Sequence, residues 1–207
     1  MLPNFDNIEI AFQYKSTSEL KQAQFLFSAM HMPTLSAIGI RLTQWSIRVG
    51  LPVQKAIKNT IFKQFCGGET LQEAADTAHK MARFNMGVIL DYSVEGKDEE
   101  TDFDLAVPEF IKAIEHATTE PNIPFISVKI TGFARFALLE KVHDNVPLND
   151  NEAQEWQRVI NRIDAICAAS AKSNIMILID AEETWIINAV DQLAEMMMEK
   201  YNRGKTV

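Results

Sequence analysis

The stretch Asn174-Ile175-Met176-Ile177-Leu178-Ile179-Asp180-Ala181-Glu182-Glu183-Thr184-Trp185 decides the fold of this chain. Its apolar run, 175–179, is typical of a strand that is buried on both faces of a parallel sheet. Carboxylates follow at once, and a helical pattern then runs to about Tyr201. Acidic groups at the carboxyl end of a core strand indicate an active site, because parallel α/β folds place their sites there. The alternative is that these acids only favour the first turn of the next helix.

Other apolar runs precede this one, and helical patterns separate them. The predicted strands are 61–66, 88–90, 125–130 and 175–179. Strands that alternate with helices predict a parallel sheet with right-handed crossovers. We therefore predict an α/β fold in which residues 61–207 form four βα units, half of a (β/α)8 barrel truncated before strand five.

Residues 1–60 are predicted to form a helical arm. A Ser-x-x-Glu capping box at Ser16 opens one helix, and Pro33 opens a second helix. The second helix carries a stripe of apolar residues at helical spacing, namely Leu35, Ile38, Leu42, Trp45 and Val49. The favoured interpretation is that this stripe packs on the main domain. The alternative, suggested by Arg41 and Arg48, is that the arm rests on a membrane surface.

Composition excludes several classes of protein. The net charge of −8 argues against a nucleic-acid binder. Cys66 and Cys167 lie far apart, which excludes a disulfide framework and a zinc site and fits a reducing cytosol. We expect neither a signal peptide nor a membrane span. The dinucleotide and P-loop fingerprints are absent from the sequence, and Gly67-Gly68 is expected to form a turn with positive φ rather than a phosphate cradle.

Charged side chains follow or interrupt every predicted strand, and a parallel sheet would bring them to one rim. They are Glu69, Asp91, Glu95, Lys129, Asp180, Glu182 and Glu183. Lys129 interrupts an apolar strand, and a buried ammonium needs a partner. It is interpreted as a cation that holds a substrate carboxylate or pairs with a rim acid; the alternative is a purely structural Lys–Asp pair. The acids could instead bind a divalent metal ion, whereas the four histidines are predicted to lie at the surface.

Four motifs, taken in order and spacing, resemble the strand-end motifs of the proline dehydrogenase family. They are Phe65-Cys66-Gly67-Gly68-Glu69-Thr70, Ile89-Leu90-Asp91-Tyr92-Ser93-Val94-Glu95-Gly96, Val128-Lys129-Ile130-Thr131-Gly132 and Ile179-Asp180-Ala181-Glu182-Glu183-Thr184-Trp185. The resemblance implies a flavin-dependent (β/α)8 barrel. Such an enzyme oxidises L-proline to 1-pyrroline-5-carboxylate with FAD and passes the electrons to membrane quinone.

The resemblance also implies roles for individual residues. Lys129 and Glu69 would bind the substrate, with Glu69 acting through an arginine of the last barrel helix. Asp180 would be the catalytic aspartate near flavin and substrate. Ala181 and Glu182 would continue the wall beside the flavin, and Asp91 would have a supporting role.

The second half of the family's barrel, with its paired arginines, has no counterpart in these 207 residues. We therefore expect a truncated piece of a cytoplasmic enzyme, peripheral to the inner face of the membrane at most. This piece is expected to be inactive alone and not to retain FAD. The alternatives are a non-catalytic half-barrel that self-associates and another (β/α)-type enzyme with a metal-binding acidic rim.

Overall fold

A computed structural model describes residues 6–92, 94 and 96–207, apart from the side chain of Leu35. Residues 1–5 of the predicted arm and the predicted rim residue Glu95 lie outside this description. The chain divides into two compact units, Met1–Met86 and Gly87–Val207. The predicted boundary between an arm ending at residue 60 and a barrel beginning at residue 61 stays a prediction.

The first unit is helical throughout its described elements. Its helices are α1 (Ile8–Phe12), α2 (Thr17–Met30), α3 (Pro33–Arg48), α4 (Gln54–Ile57), a π-helical turn (Lys58–Phe62), α5 (Lys63–Phe65) and α6 (Leu71–Ala82). The capping box predicted at Ser16 is confirmed, because Ser16 and Glu19 exchange hydrogen bonds at the start of α2. Pro33 is the first residue of α3. Proline is suited to this position because the N–H group that it lacks would have no acceptor within the helix.

The predicted strand 61–66 is wrong, because residues 58–65 are helical. A short apolar run fits a strand or a helix equally well, and here Lys63 and Gln64 are good helix formers within it. The first of the four predicted βα units therefore lacks its strand.

Gly68 has a role other than the predicted one. Among the described glycines, only Gly50 and Gly96 have a positive φ. A Cβ atom on Gly68 would instead lie 2.6 Å from the backbone nitrogen of Ala74. A glycine is thus needed because the chain passes close to the first turn of α6, not because the turn requires a left-handed backbone.

The second unit has α/β architecture, which confirms the predicted fold class in its coarse form. Its elements are β1 (Ile89–Asp91), α7 (Glu100–Ala117), β2 (Phe125–Val128), a 3₁₀ turn (Ile130–Gly132), α8 (Phe136–His143), α9 (Asp150–Ser173), β3 (Met176–Ile179) and α10 (Ile187–Tyr201). Helix α8 occupies part of the segment around Pro147, for which the polar residues of the sequence predict a loop.

The three described strands form one parallel sheet in the order β1-β2-β3. On one face the central strand contributes Ile126 and Val128, which are fully buried. Helices α7 and α9 pack against each other and against β2 and β3, so they cover this face.

The other face of the sheet is open, and this overturns the expectation that the last strand is buried on both sides. Leu178 of β3 is 38% exposed and Ile89 of β1 is 50% exposed. Among the described residues β1 and β3 are the two edge strands of the sheet, so each lacks a neighbouring strand on one side. We call this the open face of the sheet.

Helix α9 has one apolar side, as the helical spacing of the apolar residues in its sequence predicts. Val159, Ile163, Ile166 and Cys167 are buried along it. Asn149 and Glu152 form a capping box at its start, and Asn174 ends it with a φ of 58°. Asparagine tolerates this left-handed conformation better than most residues with side chains. Within the described residues, none of the helices is both long and apolar enough to cross a membrane.

Candidate active site

The sheet register brings three predicted rim residues to the same side of the sheet. Asp91 is aligned with Ser127, and Val128 is aligned with Ile179. The ladder continues one step further, since the N–H of Asp180 donates to the carbonyl of Val128 at 2.9 Å. Because side chains alternate along a strand, Asp91, Lys129 and Asp180 all project from the open face. We call these residues the charged row.

Lys129 pairs with Asp91 within the charged row. The Lys129 Nζ donates to Asp91 Oδ2 at 3.1 Å. The lysine side chain is 27% exposed and the aspartate side chain is 44% exposed. An ion pair with this much solvent contact stabilises a fold by only about 0–1 kcal/mol.

Asp180 ends the charged row with an exposed carboxylate. Within the described parts of the chain, this carboxylate forms neither a hydrogen bond nor an ion pair with another side chain. From β1 to β3, the charges of the row are therefore negative at Asp91, positive at Lys129 and negative at Asp180. Below it, towards the amino ends of the strands, the open face is apolar and includes Ile89.

Glu182 joins the segment after β3 to the segment after β2. Its carboxylate accepts hydrogen bonds from the Thr131 N–H, at 3.1 Å, and from the Thr131 hydroxyl. Thr131 is only 6% exposed. Two hydrogen bonds to a charged acceptor hold the two segments at a fixed spacing. Ala181, between Asp180 and this anchor, is exposed.

Gly132 allows the segment after β1 to approach. A Cβ atom at Gly132 would collide with Val94, so the contact of these two segments depends on a residue without a side chain. The ends of all three strands are therefore linked, β1 to β2 through Gly132 and β2 to β3 through Glu182.

A buried arginine supports the segment after β2 from the helical side. Arg162 of α9 is 5% exposed. Its Nη1 donates to the Phe133 carbonyl at 3.1 Å, and its Nε donates to Asp104 at 2.8 Å. It also pairs with Glu100, which Arg158 contacts as well. Burial works to raise the pKa of Glu100, but hydrogen bonds from the two arginines outweigh it and hold that pKa below its ordinary value.

A second ion pair fixes the same segment one turn further along. Arg135 donates through Nε and Nη2 to the two oxygens of Glu155, at 2.8 and 2.6 Å. Glu155 is 7% exposed, and its hydrogen bonds raise the pKa of Arg135. Sequence reasoning missed both arginines, because their partners are distant in the chain. The signal that was available was a charged residue on the apolar side of a strongly periodic helix.

Glu69, the remaining predicted site residue, lies in the first unit. Its carboxylate pairs with Lys58, and Lys58 also donates to Glu73 at 2.9 Å. Because the Lys58 ammonium donates hydrogen bonds to Glu69, the larger effect, and to Glu73, its pKa is raised above the ordinary value. The predicted place of Glu69 on the rim depends on a strand before it, and that segment is helical. Its substrate-binding role stays a prediction.

The alternative of a metal-binding rim has no geometric support in the described residues. Among them, no three His, Cys, Asp or Glu side chains come together as metal ligands would. The histidines divide into two groups. His31 and His79 are exposed, as predicted, whereas His116 and His143 are half-buried. The Nδ1 of His143 accepts a hydrogen bond from the N–H of Asn188, so this residue links α8 to the start of α10.

The chain resembles known proteins along most of its length. A sequence model of the family described as Proline dehydrogenase matches residues 74–207. The carbapenem antibiotics biosynthesis protein CarD of Pectobacterium carotovorum subsp. carotovorum is 32% identical over 143 residues, covering 69% of this chain and 38% of that protein.

Two eukaryotic proteins are also similar. Proline dehydrogenase 1, mitochondrial, of Dictyostelium discoideum is 26% identical, covering 93% of this chain and 41% of its own length. Its namesake from Arabidopsis thaliana is 27% identical, covering 72% of this chain and 38% of its own length. The chain thus spans about two fifths of the length of these curated relatives.

Proposed function

The chain belongs to the proline dehydrogenase family, and we propose that its charged row binds L-proline in an enzyme that oxidises this substrate to 1-pyrroline-5-carboxylate. The observation that carries this proposal is the alternation of charge in Asp91, Lys129 and Asp180. A free amino acid is a zwitterion, with a carboxylate and an ammonium group close together. A row that offers a cation beside an unpaired carboxylate is complementary to that pair of charges.

Each member of the charged row has a separate proposed role. Lys129 takes the proline carboxylate and releases Asp91, to which it is only weakly bound. Asp180, as the catalytic aspartate, holds the substrate amine and orients the ring for oxidation. Asp91 keeps Lys129 extended across the face before substrate arrives. The supporting observations are the shared side of the sheet and the 3.1 Å ion pair.

The residues present fit the ring system of a flavin. Beside and below the charged row the open face exposes Ile89 and Leu178 next to the small Ser127, and such a surface suits a flat aromatic ring. We propose FAD as the group, with Ala181 and Glu182 continuing the wall beside it. FAD would supply the hydride acceptor for the reaction. Glu182 serves by keeping the segments after β2 and β3 at a fixed spacing.

We also propose that the complete enzyme passes its electrons to quinone and that it is located in the cytoplasm. Both are supported by the family resemblance. Glu69 is retained as a substrate-binding residue of the complete enzyme on the same ground.

Replacing Lys129 with alanine in the full-length enzyme tests the proposal. A hydrogen bond to a charged group contributes about 1.5–3 kcal/mol, so we expect KM for proline to rise roughly 10- to 150-fold while kcat changes less. The matched control is Lys97→Ala, which removes a lysine that is 53% exposed and paired with Asp102. Steady-state kinetics with proline measure both. Equal KM values for Lys129→Ala and the wild type would disprove the assigned role.

A second candidate function, a non-catalytic half-barrel that self-associates, is favoured by the open face. Beside the edge strand β3 there is also a groove of about 350 Å³ lined by side chains that include Ile177, Met197 and Tyr201. A water-exposed apolar face of this kind commonly becomes an interface. The proposal that this chain alone lacks activity has the same basis, since flavin chemistry requires a site from which water is excluded.

We expect the absorption spectrum of the purified chain to show no flavin band at wavelengths longer than those of protein absorption. In gel filtration, we expect the chain to elute as a dimer or a larger species. A bound flavin that is bleached by proline would show that the chain is active alone. A colourless monomer would contradict self-association while leaving the role of Lys129 in the full-length enzyme open to the kinetic test. The Leu178→Ser variant should shift elution towards the monomer, whereas Leu105→Ser, on exposed α7 surface, should not.

A further inference from the structure

Thr131 lies in a buried turn just beyond the charged row. Ile130, Thr131 and Gly132 form the 3₁₀ turn after β2, and all three are buried. The N–H of Gly132 donates to the carbonyl of Lys129 at 3.1 Å, so the backbone of Lys129 belongs to the same turn. The core therefore fixes the backbone position from which the Lys129 side chain extends.

One pair of residues joins the segments after β2 and β3 directly beyond the charged row. Lys129 and Asp180 each follow the last paired residue of their strand. Thr131 and Glu182 each lie two residues further along the same two segments. The Glu182 carboxylate accepts hydrogen bonds from both the N–H and the hydroxyl of Thr131. We call Thr131 and Glu182 the strand-end clamp.

The strand-end clamp fixes the spacing between two members of the charged row. Neighbouring strands lie about 4.8 Å apart, so Lys129 and Asp180 extend from backbone positions that are close together. In an α-amino acid, one carbon separates the nitrogen from the carboxylate, whereas a β-amino acid has a second carbon between them. A short and fixed spacing between a cation and a carboxylate is therefore better matched to an α-amino acid.

The Thr131 hydroxyl is the part of the strand-end clamp that a substitution can remove by itself. Thr131 is 6% exposed, and valine has nearly the same shape without the hydroxyl. The N–H of residue 131 would still donate to Glu182, as it does at 3.1 Å in the wild type. A hydrogen bond to a charged acceptor is stronger than a neutral one, so its loss should loosen the segment that carries Asp180.

We propose that Thr131 is a positioning residue that makes the charged row selective for α-amino acids over β-amino acids. Its hydroxyl holds Glu182, and Glu182 keeps Asp180 at the distance from Lys129 that an α-amino acid spans. Because Thr131 is buried, it acts through Glu182 and not on the substrate. This role of Thr131 rests on the proposed binding of proline by the charged row.

Thr131→Val in the full-length enzyme tests this role with two ligands. Proline is the substrate. Pyrrolidine-3-carboxylate, which has the same ring with its carboxylate one carbon further from the nitrogen, is the competitive inhibitor. In the wild type, we expect Ki for this inhibitor to exceed KM for proline by about tenfold or more. In Thr131→Val, we expect KM for proline to rise about tenfold, as loss of one hydrogen bond to a charged group implies, while Ki changes less than about threefold.

Three further variants separate positioning from general damage. Thr131→Ser keeps the hydroxyl and should restore the wild-type ratio of Ki to KM. Thr119→Val is the matched control, since it removes a hydroxyl that donates to the His116 carbonyl at 2.8 Å just after α7, and it should leave both constants unchanged. Glu182→Gln weakens the strand-end clamp from its other side without altering the buried turn. It should lower the ratio as Thr131→Val does, and it serves as the test if valine at position 131 prevents folding.

Two results would overturn the role of Thr131. One is a wild-type enzyme that binds pyrrolidine-3-carboxylate as tightly as proline. The other is an unchanged ratio of Ki to KM in both Thr131→Val and Glu182→Gln, whether the two constants stay the same or rise together. A wild-type enzyme that does not oxidise proline at all would overturn the proposed function, and the role of Thr131 with it.

Discussion

Replacing Arg162 with alanine is expected to lower the free energy of unfolding of the second unit by about 2–3 kcal/mol. The guanidinium is almost fully buried and donates to Asp104 and to the Phe133 carbonyl. Its carbon Cζ also lies 5.4 Å from the centre of the Phe103 ring. Removing it leaves these acceptors, and Glu100, without their buried donor. One oxygen of Glu100 is already buried without a hydrogen-bond partner in the described structure.

Arg158→Ala is the matched control for Arg162→Ala. Arg158 donates to the same Glu100 oxygen at 2.7 Å, but its side chain is 46% exposed. An exposed pair of this kind is worth about 0–1 kcal/mol. Urea unfolding followed by circular dichroism, under identical conditions, compares the two. If both variants lowered the free energy of unfolding by the same amount, the burial of Arg162 would not determine its contribution to stability.

Replacing Phe110 with alanine is expected to lower the same free energy by about 3–5 kcal/mol, because it empties a large space in a closely packed core. Phe110 of α7 is 1% exposed. Its ring centre lies 5.7 Å from that of Tyr92 and 5.2 Å from that of Phe133. Tyr92 directly follows β1, and Phe133 follows the 3₁₀ turn after β2. One side chain thus packs against the segments that carry Asp91 and Lys129.

Phe136→Ala supplies the comparison for Phe110. Phe136 is 39% exposed at the start of α8, so its replacement by alanine should lower the free energy of unfolding by about 1 kcal/mol or less. Phe110→Leu should lower the free energy of unfolding less than Phe110→Ala does, because leucine fills part of the volume of the phenylalanine side chain. Thermal and urea unfolding measure all three variants. A smaller loss for Phe110→Ala than for Phe136→Ala would contradict the packing shown here.

The elements that sequence analysis predicted correctly are those with a local signal. Helix α2 has a capping box at Ser16, and α9 has an apolar side extending over several turns. The run 175–179 gave β3 within one residue. Each of these patterns is set by neighbours in the chain, and so it is visible without knowledge of the fold.

The elements that were mispredicted lack such a signal. Residues 58–65 are too short and too mixed in composition for their periodicity to separate helix from strand. Helix α8 lies in a segment where Pro147 and several polar residues suggested a loop, and its apolar Leu138 and Leu139 are buried only through tertiary contacts. In both cases packing, rather than local preference, decides the conformation.

The candidate site was predicted in a similar, partial way. A strand-end rule located Asp91, Lys129 and Asp180, and the register aligns all three on one side of the sheet. The same rule selected Glu69 only because the preceding helix had been taken for a strand. The contacts of Glu182 with Thr131, and of Arg162 with Phe133, join residues that are distant in sequence. No pattern within one segment could have predicted them.

Strand β3 has a consequence for solubility. It pairs only with β2 in the described chain, so its other edge presents unpaired backbone groups beside an uninterrupted apolar run. Such edges promote aggregation unless a charged residue flanks them, and Asp180 is the charge next to this one. Asp180 therefore acts as a gatekeeper as well as a proposed catalytic group. A neutral substitution there would reduce the yield of monodisperse protein from this chain, whereas the same substitution in the full-length enzyme tests its proposed part in turnover.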